Sequence, residues 1–70
     1  MRGVVTKVIL SRGFGFIRDA AGMSRFFHKR AVVDPRAFDL MHEGQLVQFT
    51  PDDTGDKDNG LKALDVEVLT

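Results

Sequence analysis

The 70-residue chain predicts an all-β fold: one small, five-stranded antiparallel barrel spanning residues 1–70. Three observations point there. The chain has room for one domain with a small interior. Its apolar residues fall in five short runs separated by turn residues, a pattern of strands rather than of a helical bundle. No segment supplies a helix to cover the second face of a flat sheet, and closing the sheet on itself removes both that exposed face and the free edges.

Each element has its own signal. Val4 to Leu10 is apolar and rich in β-branched residues, broken only by Thr6 and Lys7, and is short for a helix. Ser11-Arg12-Gly13 turns the chain into a second strand, Phe14 to Arg18, and Ala20-Ala21-Gly22 turns it into a third, Arg25 to Lys29. Asp34-Pro35 is a break, because proline pushes its predecessor away from helix. Arg30 to His42 therefore reads as a long connection with room for one helical turn. Gln45 to Thr50 is a fourth strand ended by Pro51, the polar stretch after it carries the tight-turn pair Asn59-Gly60, and Leu61 to Leu69 is a fifth. The expected interior is Val5, Ile17, Phe27, Val47, Phe49, Val66 and Val68, with Val32, Leu40 and Leu69 closing the barrel ends. A barrel of the oligonucleotide-binding type satisfies these constraints, and an SH3-like barrel is the structural rival.

Composition narrows the chemistry. There is no cysteine, so neither a disulfide nor a thiolate ligand or nucleophile exists. The two histidines are too few for a histidine zinc site, and no metal or other cofactor is expected. No apolar run approaches the roughly 20 residues that span a bilayer. Charges at Arg2, Lys7 and Arg12 interrupt any signal-peptide core. A soluble, cytoplasmic protein without membrane or small-molecule partners is the expectation, and Met1 favours an entire protein over an excised domain. The net charge of zero hides an asymmetry: residues 1–36 carry a formal +6 and residues 37–70 a formal −6. Either the basic half presents a face to a polyanion, or the halves pair as strands and cancel.

Two segments carry the strongest functional signal. In RGFGFIR, Arg12 to Arg18, a strand projects Phe14 and Phe16 to one side. Gly13 and Gly15 flank Phe14 and offer nothing to a core, which fits rings left accessible to a flat ligand. In SRFFHKR, Ser24 to Arg30, Phe26 and His28 share one face. If the strands adjoin, Phe14, Phe16, Phe26 and His28 form an aromatic platform bordered by Lys7, Arg12, Arg25, Lys29 and Arg30. Bases stack on such rings at about 1–3 kcal/mol each with little sequence preference. Neighbouring cations draw in phosphates.

The same residues resemble a cold-shock domain, over roughly Gly3 to Leu69. GFGFI, Gly13 to Ile17, is similar to that family's first ribonucleoprotein motif, and Phe26-Phe27-His28 to its second. EGQLVQF, Glu43 to Phe49, resembles the segment opening its fourth strand, and Gly60 to Leu69, ending ALDVEVL, its closing strand. The resemblance implies an oligonucleotide-binding barrel that binds single-stranded RNA or DNA as an RNA chaperone or a regulator of transcription or translation. It implies base contacts at Phe14, Phe16, Phe26 and His28 and stacking at Phe38 in the long connection, with Arg12 where the family has a lysine. Lys7 stands where the family carries a stacking tryptophan, Val8 where a phenylalanine follows it, and Lys29 where the second motif ends in another aromatic. With three rings replaced, two of them by cations, this chain should rely more on charge and less on stacking. Arg25 stands where the family has a core valine, and is expected to snorkel at the barrel end or to line the site.

Catalysis has little support. Gly13-Phe14-Gly15 lacks the third glycine and following helix of a dinucleotide fingerprint, and the serines with His28 make no recognisable triad. The acidic segment Asp52 to Asp58 lacks the glycine and closing glutamate of a calcium loop. The expected activity is therefore low-specificity single-strand binding by a monomer or weak homodimer. The alternative is a protein-interaction module that uses the same aromatic patch for a partner protein or a second copy.

Overall fold

The computed structural model describes residues 1–53 and 61–70. The Asn59-Gly60 turn and loop residues 54–58 lie outside the described residues. The strands are β1 (Arg2–Ile9), β2 (Phe14–Asp19), β3 (Ser24–His28), β4 (Leu46–Asp52) and β5 (Leu61–Val68). They close into a barrel in the order β1-β2-β3-β5-β4. This is the expected all-β barrel, with one refinement: the contact that closes it, β3 against β5, is a short parallel pairing of Arg25 with Leu61 and Phe26 with Lys62.

The long connection holds a short 3₁₀ turn, Lys29–Ala31, and one helical turn, α1 (Pro35–Phe38). Asp34 caps α1 by accepting the Arg36 N–H at 3.1 Å, and Pro35 sits in the first helical turn, where its missing N–H is no loss. β4 does not end before Pro51. It runs on to Asp52, with Pro51 paired with Ala63. Met1 exchanges hydrogen bonds with Phe49. Beyond that point, among the described residues, β4 pairs with β5 alone, and an edge tolerates proline.

The interior consists of Val5, Ile17, Phe27, Val32, Phe38, Met41, Val47, Phe49, Ala63 and Val66. Six of the seven expected strand positions are there, and Val68 packs against the cluster half-buried. Leu40 and Leu69 do not close the barrel ends, being 79% and 40% exposed. α1 turns Phe38 inward, and the turn that follows it buries Met41 and leaves Leu40 outward. Irregularities reset the in–out alternation twice. In β1 a bulge between Val5 and Lys7 leaves Val5 and Val8 both directed at the core. In β5, Asp65 adopts φ 50° and lies opposite a register shift in β4, so Ala63 and Val66 face inward while Leu64 and Asp65 face out. Aspartate is one of the few residues that tolerates this left-handed conformation.

Candidate nucleic-acid interface

Strict alternation in β2 and β3 builds the site. Gly15, Ile17 and Asp19 of β2 are buried, as are Arg25 and Phe27 of β3. Phe14, Phe16 and Arg18 therefore face outward beside Ser24, Phe26 and His28. Antiparallel pairing sets Phe14 opposite His28 and Phe16 opposite Phe26. The three phenyl rings touch in a half-buried cluster. Centroids are 6.0 Å apart for Phe14–Phe16, 5.4 Å for Phe14–Phe26 and 5.9 Å for Phe16–Phe26. Two of the contacts are edge-on, the arrangement that aromatic quadrupoles favour.

The register extends these pairs into rows. Lys7 of β1 pairs with Phe16, and Lys62 of β5 with Phe26, giving Lys7–Phe16–Phe26–Lys62 across four strands. The neighbouring row is Ile9–Phe14–His28. Arg12 sits exposed in the turn before Phe14, and Lys29 and Arg30 sit exposed just after His28. The Lys29 amide donates to the Gly13 carbonyl at 2.8 Å, which draws the two turns together at the same end of the patch. The Arg30 amide donates to His28 Nδ1 at 3.1 Å. Nδ1 is thus an acceptor, and the proton of the neutral ring sits on Nε2, available to a ligand.

The glycines have a reason the sequence reading did not supply. A Cβ on Gly15 would lie 2.7 Å from Cζ of Phe27 and 2.6 Å from the Lys7 carbonyl oxygen. Gly15 is required because a core ring packs directly beneath the exposed one. Gly13 holds φ 74°, the left-handed turn conformation that glycine adopts without strain.

Two expected contact residues are elsewhere. Phe38 is 1% exposed and packs edge-on against Phe27, centroids 6.2 Å apart. It belongs to the core and has no face to offer a base, because α1 rotates it under the barrel end. Arg25 is 4% exposed. Its Nε donates to Asp19 Oδ2 at 2.8 Å, and Nη1 donates to Asp53 Oδ1 at 2.8 Å and to the Lys62 carbonyl at 2.9 Å. Its guanidinium also lies 5.7 Å from the Phe49 ring centroid. A cation held by two carboxylates inside the barrel end is not a phosphate contact. The Asp19 carboxyl is held below its ordinary value, chiefly by the Arg25 hydrogen bond and then by the Met23 amide, against the opposing effect of burial. Val8 packs inward, so its replacement of an aromatic takes no ring from the outer patch.

Lys62 is the residue that sequence reasoning missed. It lies in the acidic half of the chain, and only the parallel β3–β5 register brings it beside Phe26. Flat rings open to solvent and fringed by cations suit stacked bases with their phosphates alongside. Among the described residues, no group of three or more His, Asp or Glu side chains is placed to hold a metal ion.

The family model described as the 'Cold-shock' DNA-binding domain matches residues 1–69. The chain belongs to the cold-shock domain family. No curated protein matches it at a significant level. Membership makes single-stranded nucleic acid the partner class of this cold-shock domain. The half-buried rings of β2 and β3, with cations beside them, lie on the outer face of this barrel.

Proposed function

We propose that this cold-shock domain binds single-stranded RNA or DNA with little sequence preference. Bases stack on Phe14, Phe16, Phe26 and His28, while Lys7, Lys62, Arg12, Lys29 and Arg30 meet phosphates. The observation that carries the reading is the cross-strand row in which two lysines bracket two solvent-facing rings. Binding open strands in preference to paired ones melts weak duplexes by mass action, without ATP and without catalysis. An RNA chaperone or a regulator of transcription or translation would act in this way.

The chain has no tryptophan or tyrosine, so the test uses a dye-labelled oligothymidine or oligouridine at low and moderate salt. Wild type should bind, more weakly as salt rises, and Phe14→Ala and Phe26→Ala should each weaken binding about 5- to 150-fold, the equivalent of about 1–3 kcal/mol of stacking per base. No binding by wild type, or unchanged binding by both variants, would leave the patch to a protein partner instead.

A further inference from the structure

We propose that a single strand lying on the aromatic patch continues into a second subsite on the outer face of β1, β2 and β4, where Arg18 and Arg2 receive its phosphates. This extension rests on the proposed function above.

The patch does not stop at Phe16. Two residues further along β2, about 7 Å on, Arg18 faces the same side and is exposed. It pairs with Ser24 of β3 and with Val4 of β1, and Val4 pairs in turn with Leu46 of β4. Arg2 is two residues before Val4 on the same face and opposite Gln48. Between the two arginines lies a shallow cleft of about 420 Å³ floored by Val4, Thr6, Ala20 and Leu46. Val4 is 42% exposed and offers the cleft an apolar surface.

Charge and continuity together name the occupant. Neither Arg2 nor Arg18 forms an ion pair with any described residue. Asp19 also borders the cleft, but its carboxylate is taken up by Arg25 and by the Ala21 and Met23 amides. The cleft therefore presents two cations that form no ion pair with any described residue, around a mostly apolar floor and in line with the stacking rings. A base resting on Val4 and Leu46 with phosphates toward the arginines fits that chemistry, since arginine forks bind phosphate in a bidentate manner.

The test compares two dye-labelled oligothymidines, one of about four nucleotides and one of about ten, spanning the site sizes typical of such barrels. For wild type the longer strand should bind more tightly and with a steeper salt dependence. In the double variant Arg2→Ala/Arg18→Ala, the slope of log affinity against log salt for the longer strand should fall by about 1.4, from two phosphate contacts at about 0.7 each. The slope for the short strand should not change. Both side chains are exposed and form no ion pair with any described residue, so the variant should fold, as circular dichroism will verify. Equal slopes for variant and wild type on the longer strand, or equal losses on both strands, would overturn the subsite while leaving the aromatic patch in place. If wild type binds neither strand, the patch itself fails and the subsite with it. If Val4→Glu dissociates a dimer seen in sedimentation but leaves the longer strand's affinity unchanged, a second copy occupies the cleft and the proposal is wrong.

Discussion

Arg25 and Asp19 form a salt bridge 2.8 Å long in which both side chains are withdrawn from water. The pair joins β3 to the end of β2. Through Asp53 and the Lys62 carbonyl, Arg25 also reaches the end of β4 and the start of β5. It clamps the strands that meet at the closing seam of the barrel, and the seam places Lys62 beside Phe26.

Removing one partner should cost more than removing both. Arg25→Met leaves the Asp19 carboxylate without its cation, and Asp19→Asn leaves a buried guanidinium with half its charge partners. Each single variant should lower the urea midpoint, and the double variant should recover part of the loss, a coupling that a double-mutant cycle reads directly. The same pair predicts an acid limb. Because folding holds the Asp19 pKa below its ordinary value of 3.8, its contribution is fully present above that value and is lost as pH falls through the lower folded value. Asp19→Asn should flatten stability against pH in that acid range and leave the neutral range parallel to wild type.

Gly15→Ala should destabilise the fold although the position lies in the signature motif of the site. The new methyl group would meet both the Phe27 ring and the Lys7 carbonyl below 3 Å. Overpacking of this kind costs about 1–3 kcal/mol. Chemical denaturation should show it as a lowered midpoint with an unchanged slope.

Phe38 and Phe14 should separate stability from binding. Phe38→Ala empties a core position and should cost about 3–5 kcal/mol of folding free energy. Where the variant remains folded, it should keep its affinity for short oligothymidine. Phe14→Ala, on a half-buried surface ring, should do the reverse. Denaturation and oligonucleotide titration on the two variants together check this. Equal losses of affinity would return Phe38 to the site.

Lys7→Trp should convert charge into stacking. Lys7 pairs with Phe16 at the border of the patch, so an indole there extends the platform by one ring. Affinity should rise by about 1–3 kcal/mol for one more stacked base, and the salt slope should fall by about 0.7 with the loss of one phosphate contact. Isotherms at two salt concentrations read both changes.

What could be read along the chain is what depends on neighbours two residues away. Phe14 and Phe16, or Phe26 and His28, share a side because a strand alternates with period two, and the strands were recognisable from their β-branched and aromatic residues. The five strands and most of the core followed from the same local rule. The family motifs added the type of barrel and the partner class; the order of the strands around it came from the structure.

Other assignments depend on contacts between segments far apart in sequence, and no local pattern encodes them. A four-residue helix and the turn after it are too short to show a period, so nothing marked Phe38 as inward and Leu40 as outward. Arg25 is in phase with Phe27 along β3, but its carboxylate partners come from β2 and from the end of β4. Only the closed barrel shows that its charge is neutralised inside. Lys62 came beside Phe26 through a parallel seam whose register is set by loop closure and packing rather than by composition. A basic side chain becomes a ligand contact or a structural clamp according to whether folding leaves it facing water or a carboxylate, and that choice belongs to the assembled barrel.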